Sequence, residues 1–155
     1  MGRIVAFDVG ERRIGVAVSD VSGTLARPVG TLQVKGLDAA AVTTAADEVA
    51  RWAAEDDGVS GLVVGLPRRL DGSANDMTPR VERFAQDLGA RTQLPVTLQD
   101  ERLSSHEAES RLGVREKDWR ERKKRLDAAA AAVILQDYLD ARPGRPALFF
   151  DPSEF

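Results

Sequence analysis

The sequence contains no cysteine and a single histidine among its 155 residues. Without cysteine there is no disulfide framework, no thiolate zinc site and no cysteine nucleophile. One histidine also excludes a metal site built from several imidazoles. No apolar run reaches the ~18 residues of a membrane-spanning helix, and the first residues lead into a strand-like segment rather than a signal peptide. We therefore expect a cytoplasmic protein.

The chain also lacks a strong excess of charge of either sign. Its 22 Lys and Arg residues against 25 Asp and Glu residues give a formal charge of −3. The net charge of the protein does not attract a polyanion, so any contact surface for nucleic acid must be local. The length suits one domain, which we predict to span residues 1–141, followed by a C-terminal tail at residues 142–155.

The hydrophobic pattern predicts the element order β-β-β-α-β-α-β-α-α. The predicted strands are residues 4–8, 14–19, 29–34, 61–65 and 96–99; the predicted helices are residues 37–54 with Asp38 as N-cap, one with Thr78 as N-cap, one starting at a Ser104 capping box, and Leu126–Leu139. The charged segment 114–125 is expected to separate the last two helices. An initial antiparallel meander followed by βαβ crossovers indicates an α/β fold, with a five-stranded mixed sheet flanked by helices.

Three carboxylates occupy positions where a solvated charge is not expected. Asp8 ends the first strand, Glu101 follows the last strand, and Asp127 lies in the first turn of an alanine-rich helix. Burying a carboxylate is costly unless it is paired or bound to a metal. In open α/β sheets, sites form at the carboxyl ends of the strands. The three acids therefore predict a divalent-metal site, with Mg²⁺ or Mn²⁺ as the ion.

Each of the first two positions has an alternative interpretation. Asp8 could be a turn aspartate of a hairpin, although Gly10 already serves that turn. Asp100 and Glu101 point to opposite faces of a strand, so only one of them can enter a given site. We favour Glu101 as the ligand and Asp100 as a supporting partner, for instance of Arg102, and a bulge would reverse this choice.

The third acid is distinguished by the helix face on which it lies. Asp127 shares that face with Ala130, Ala131, Ile134 and Tyr138. A helix-start aspartate stabilised by the macrodipole is the alternative, but this explains the position along the axis and not the face. Because the alanines allow the helix to approach the sheet closely, we expect Asp127 to be nearly inaccessible to solvent.

Acids from separate elements are the arrangement needed for two-metal phosphodiester hydrolysis, in which two cations about 4 Å apart activate a water and stabilise the leaving oxygen. A phosphate-rich substrate also needs cations. The segment 115–125 carries seven basic residues against three acidic ones, although a solvated helix face would look the same. Arg13 beside Asp8 is a further supporting residue. The predicted nucleic-acid contacts are Arg12, Arg68, Arg69, Arg120, Arg122, Lys123, Lys124 and Arg125.

Four segments carry a detailed resemblance to a known family: FDVGERRIGVAVSD, VVGLPRRLDGS, DERLSSHEAE and KKRLDAAAAAVILQDYLD. In order and spacing they resemble the YqgF family, also called RuvX, apart from Ser104 and Ser105, where that family more often has threonines. The resemblance implies a ribonuclease H-like fold and an acidic triad at Asp8, Glu101 and Asp127. It also implies a nuclease of pre-16S ribosomal RNA, related to Holliday-junction resolvases.

Several functions remain open on the sequence. The first is a metal-dependent nuclease that trims the 5′ end of pre-16S rRNA in ribosome biogenesis. The second is a resolvase of branched DNA, which should act as a symmetric homodimer rather than a monomer. A non-catalytic RNA-binding assembly factor is a third. A nucleotide binder of the sugar-kinase or actin type is a fourth, but that fold needs two such domains and this chain holds one.

Overall fold

A computed structural model describes residues 2–101 and 119–142. For residues 119–124 it describes the backbone only. The strands are β1 (Arg3–Val9), β2 (Arg13–Ser19), β3 (Ala26–Gln33), β4 (Val59–Leu66) and β5 (Val96–Asp100); the helices are α1 (Ala39–Ala53), α2 (Thr78–Thr92) and α3 (Trp119–Ala141). Within these ranges the elements follow the predicted order. The helix predicted from Ser104 lies outside the described residues.

The strands form one mixed sheet in the order β3-β2-β1-β4-β5. The first three strands pair antiparallel, while β1, β4 and β5 run parallel to one another. This confirms the predicted five-stranded mixed sheet. Because β1, β4 and β5 are parallel, their carboxyl ends meet at the same edge of the sheet. Asp8, the penultimate residue of β1, and Glu101, which follows β5, therefore lie at one edge.

The central strands are apolar on both faces because helices cover both sides of the sheet. In β1, Val5, Phe7 and Val9 pack in the core beneath α1 and α2. Ile4 and Ala6 pack on the opposite face in the core beneath α3. Side chains of a strand alternate between faces, so Asp8 continues the second set and lies on the α3 side.

The starts of α1 and α2 illustrate one correct and one wrong N-cap prediction. Asp38 caps α1 as predicted, since its Oδ1 accepts a hydrogen bond from the Ala41 amide at 3.0 Å. Thr78 is not the N-cap of α2 but its first helical residue. Its amide donates instead to Asn75 Oδ1 at 3.0 Å, and its hydroxyl donates to the Pro67 carbonyl at 2.6 Å. The hydroxyl thus ties α2 to the loop that follows β4.

The last helix begins earlier than predicted. It starts at Trp119, so the second half of the charged segment 114–125 is helical and does not separate two helices. Arg, Lys and Glu are good helix formers, but they show no apolar period by which a helix could be recognised. Further along, α3 buries Ala128, Ala130, Ala131, Ile134 and Leu135. In the part of the chain that the structure describes, no helix has the length and hydropathy to cross a membrane.

Candidate active site

A glycine in β2 brings α3 directly onto the sheet. Gly15 pairs with Asp8 across the β1–β2 ladder. A Cβ at this glycine would overlap the carbonyl oxygen of Asp127 and lie 2.5 Å from its carbonyl carbon. The helix backbone at Asp127 therefore rests on β2 beside the first acid. The sequence analysis predicted this close approach from the alanines of α3 and did not identify Gly15. A glycine inside an apolar strand is, however, a known sign of close backbone contact.

A second glycine, in β4, makes room for the acid that follows β5. A Cβ at Gly65 would lie 2.9 Å from Glu101 Oε2 and 2.6 Å from Ile134 Cδ1. The Glu101 amide donates to the Leu66 carbonyl at 3.2 Å, which extends the β4–β5 ladder by one residue. The carboxyl group of Glu101 is thereby held over β4 and under α3. The sequence analysis did not identify the role of Gly65 either.

Asp8 and Glu101 form a hydrogen-bonded carboxyl pair. Burial raises the pKa of Glu101 to about 10, and the negative charge of Asp8 adds to this effect. Burial also raises the pKa of Asp8 to about 6; the hydrogen bond from Glu101 opposes that rise, and the charge of Asp127 adds to it. At neutral pH the pair therefore shares one proton, which Glu101 donates toward Asp8.

The third acid is paired with an arginine at the rim of the site. Arg13 Nε donates to Asp127 Oδ2 at 2.7 Å. The expectation that Asp127 would be nearly inaccessible is wrong, because its side chain is 30% exposed and that of Arg13 is 28% exposed. The carboxylate is thus partly open to solvent while it accepts the hydrogen bond from the guanidinium. It still lies near enough to Asp8 to raise the pKa of that carboxyl.

The other predicted site residues lie around the same edge or outside the described residues. Asp100 is exposed, and its charge contributes to the raised pKa of Glu101. Arg12 is exposed in the β1–β2 turn, and Arg68 and Arg69 are exposed in the loop after β4. Arg125 is exposed on α3. Arg102 and the side chains of Arg120, Arg122, Lys123 and Lys124 lie outside the described residues.

The carboxyl pair has the character of a cation site. Glu101 Oε2 is buried and, within the described residues, has no hydrogen-bond partner. Such an orphaned acceptor costs about 1–3 kcal/mol, more if charged, and a hard cation would offset this cost. A complete cage of three His, Cys, Asp or Glu side chains is not found among residues 2–101 and 119–142.

Comparison with known proteins identifies the family of this chain. A family model described as “RuvX: Holliday junction resolvase” matches residues 2–141. A protein of Burkholderia lata named “Putative pre-16S rRNA nuclease” is 44% identical over 137 residues, which is 88% of each chain. The chain belongs to the RuvX family. A Chloroflexus aurantiacus RuvX relative of the same name is 41% identical over 143 residues, 92% of this chain and 90% of that one.

A solved structure shares the fold of this RuvX chain. The Thermus thermophilus RuvC structure in complex with a Holliday junction substrate superposes with a TM-score of 0.51, over 94% of this chain and 98% of that one. Its sequence identity is 16%, so the likeness concerns the fold alone. The predicted ribonuclease H-like class is confirmed.

The raised pKa values predict that the metal-free RuvX protein loses stability as the pH rises. The ordinary values are 3.8 for Asp8 and 4.5 for Glu101, against about 6 and about 10 in the folded protein. Between these limits the folded state holds more protons than the unfolded state, so the free energy of unfolding falls with pH. The stabilisation is complete below about pH 4 and is lost progressively through pH 6 and toward pH 10.

Urea unfolding between pH 5 and pH 9 in the presence of a chelator measures this slope. A Glu101→Gln variant is the control, because it keeps the shape of the side chain but cannot titrate. Its slope should be markedly smaller than that of the wild type. Equal slopes in the two proteins would show that the pair does not share a proton.

Proposed function

We propose that this RuvX protein is a divalent-cation-dependent nuclease that hydrolyses phosphodiester bonds at the 5′ end of pre-16S rRNA, in the cytoplasm. The observation that carries the proposal is the buried pair of Asp8 and Glu101, whose orphaned oxygen has the chemistry of a cation ligand. The names of the relatives from Burkholderia lata and Chloroflexus aurantiacus support the choice of RNA substrate.

In this proposal Asp8, Glu101 and Asp127 hold Mg²⁺ or Mn²⁺. The bound ions would lower the pKa of a water molecule and stabilise the charge of the leaving oxygen. Asp8 is the central acid, because it is the one that interacts with both of the others. Glu101 must release its proton to become a ligand, which metal binding favours at neutral pH. Asp100, exposed at the end of β5, is proposed as a supporting acid at the edge of this site; its charge helps to keep Glu101 protonated until a metal binds.

The exposed arginines at this edge are proposed to hold the phosphate backbone of the substrate. Arg12 lies in the turn after β1, while Arg68 and Arg69 lie in the loop after β4. That loop is ordered by an antiparallel bridge between Arg68 and Ala74. Since the chain as a whole is acidic, these local cations are needed to bring a polyanion to an acidic site. The basic residues 120–125 at the start of α3 are proposed to extend this surface.

Replacing Arg68 and Arg69 together with Gln is expected to weaken binding to RNA and DNA alike. If each contacts a phosphate, the slope of log affinity against log salt should flatten by about 0.7–0.9 per lost contact. Fluorescence anisotropy at several salt concentrations, with a chelator to prevent cleavage, measures the slope. The matched control is Arg83→Gln with Arg91→Gln, which removes two exposed charges from α2. A slope equal to that of the control would rule out phosphate contacts at the loop.

Cleavage of two labelled substrates by the purified protein tests the proposed reaction. One substrate is a pre-16S rRNA fragment that includes the 5′ end of the mature sequence, and the other is a four-way DNA junction, each with Mg²⁺ or Mn²⁺. Cleavage of the RNA near the mature end supports the proposal. An Asp8→Asn preparation run in parallel excludes a contaminating nuclease. Binding without cleavage of either substrate would favour the non-catalytic assembly factor.

Resolution of Holliday junctions is the second candidate function. The name of the matching family model favours it. A resolvase must cut two strands at symmetry-related positions, which a twofold homodimer provides. Paired incisions in the junction, together with an uncut RNA, would select this function. Sedimentation of the free protein and of its junction complex would show whether a dimer forms.

A further inference from the structure

Four ionisable side chains follow one another across the carboxyl edge of the sheet. Glu101 donates a hydrogen bond to Asp8, the negative charge of Asp127 repels that of Asp8, and Asp127 is paired with Arg13. Glu101 directly follows β5, and the other three residues come from β1, α3 and β2 in that order. Arg13 begins β2 and lies on the same face as Gly15, the residue beneath the Asp127 backbone. The row thus ends in a cation supplied by the protein itself.

We propose that Arg13 occupies the Asp127 carboxylate in the metal-free protein and is exchanged for a divalent cation when the site is loaded. This inference rests on the proposed function, because it takes Asp8, Glu101 and Asp127 as the residues that hold the ion. It assigns Arg13 the role of a positioning residue that acts through Asp127. It also makes the third acid the point at which metal binding is regulated.

The geometry restricts the exchange to side chains. The backbone of Asp127 is fixed, because its carbonyl group lies in contact with Gly15. The Arg13 side chain is 28% exposed, so its guanidinium can turn toward solvent without opening the core. A divalent ion and a guanidinium on one carboxylate repel each other, so the two bind in competition.

Competition of this kind lowers the metal affinity of the wild-type protein. Arg13→Gln should therefore bind Mn²⁺ about threefold to tenfold more tightly, as expected for loss of one partly exposed, hydrogen-bonded ion pair. Electron paramagnetic resonance of free Mn²⁺ measures the affinity directly, without substrate and without turnover. Arg13→Lys keeps the charge but loses the guanidinium geometry, and should lie between the two.

Two further variants separate this mechanism from a general effect of charge. Arg12→Gln removes the same charge from the neighbouring exposed residue and should leave the Mn²⁺ affinity near that of the wild type. In a background with Asp127→Asn, Arg13→Gln should have no effect, because the carboxylate through which it acts is gone. An equal gain in Arg12→Gln, or a gain that persists without Asp127, would overturn the inference.

The wild-type protein provides a readout that does not depend on the folding of any variant. The Arg13 Nε–H is held by Asp127 and should give a slowly exchanging resonance in the ¹⁵N NMR spectrum of the side chains. Titration with diamagnetic Mg²⁺ should shift this resonance and speed its exchange with water. An Nε–H signal unchanged at saturating Mg²⁺ would overturn the exchange mechanism.

The outcomes also distinguish this inference from the proposed function. If the wild type binds Mn²⁺ and Arg13→Gln binds it with equal or lower affinity, the exchange is wrong while the cation site stands. If the wild type binds no Mn²⁺ in the absence of nucleic acid, and Asp8→Asn behaves identically, the proposed cation site fails and the inference with it. Thermal unfolding of each variant verifies that it is folded before its affinity is compared.

Discussion

Replacing Asp8 with Asn is expected to lower the cleavage rate on the order of a thousandfold, since it removes the central charge of the proposed cation site. The same change should raise the unfolding midpoint of the metal-free protein at neutral pH by about 2–4 °C, which is roughly 1 kcal/mol for a domain of this size. Asn still accepts the hydrogen bond from Glu101, and it no longer repels Asp127. Loss of activity with gain of stability is the signature of a residue retained for function rather than for folding.

The rate is measured on the substrate that the wild type cleaves, and the midpoint by calorimetry with a chelator. Asp87→Asn is the control, because it removes an equal charge from an exposed ion pair on α2. It should change neither quantity appreciably. An Asp8→Asn protein that cleaves at the wild-type rate would remove this residue from the active site.

Gly15→Ala is expected to damage both folding and activity through a single methyl group. The added carbon would overlap the Asp127 carbonyl, so α3 must move away from β2. Overpacking of this kind costs about 1–3 kcal/mol of folding stability. A displacement of about 1 Å at a reacting group can cost a hundredfold in rate, so we expect a loss of that order in cleavage.

Gly30→Ala in the neighbouring strand β3 is the matched control. A Cβ there meets nothing within 4 Å, so the protein should keep its stability and its activity. Urea unfolding and initial cleavage rates on both variants measure the difference. If Gly15→Ala were as stable and as active as Gly30→Ala, close contact between α3 and the sheet would not be what positions Asp127.

Much of this architecture could be predicted from local patterns in the sequence. Short apolar runs bounded by a carboxylate, glycine or proline predicted the central strands, and the meander followed by crossovers predicted the sheet. Asp38 was recognisable as an N-cap because its role depends only on the next three residues. The strand ends at Asp8 and Glu101 placed two acids at one edge. Their roles as ligands, with that of Asp127, remain predictions.

The features that could not be predicted depend on contacts between distant parts of the chain. Arg13 and Asp127 are 114 residues apart, and no local pattern indicates that they pair. The contact of Gly15 with α3 is of the same kind. The early start of α3 was missed for a different reason, since its first turns are helical by propensity and carry no apolar face.

The packing of α3 also affects when the protein becomes active during its synthesis. Residues 2–101, with Asp8, Glu101 and all five strands, leave the ribosome before α3 does. Until then the sheet face formed by residues such as Ile4, Ala6 and Val63 has no cover from that helix, and Asp127 is not yet in place. A chain still being translated therefore holds two of the three proposed ligands, and the proposed site is incomplete. If the proposed site is correct, we expect the nascent chain to cleave no RNA near the ribosome that is making it until α3 has docked.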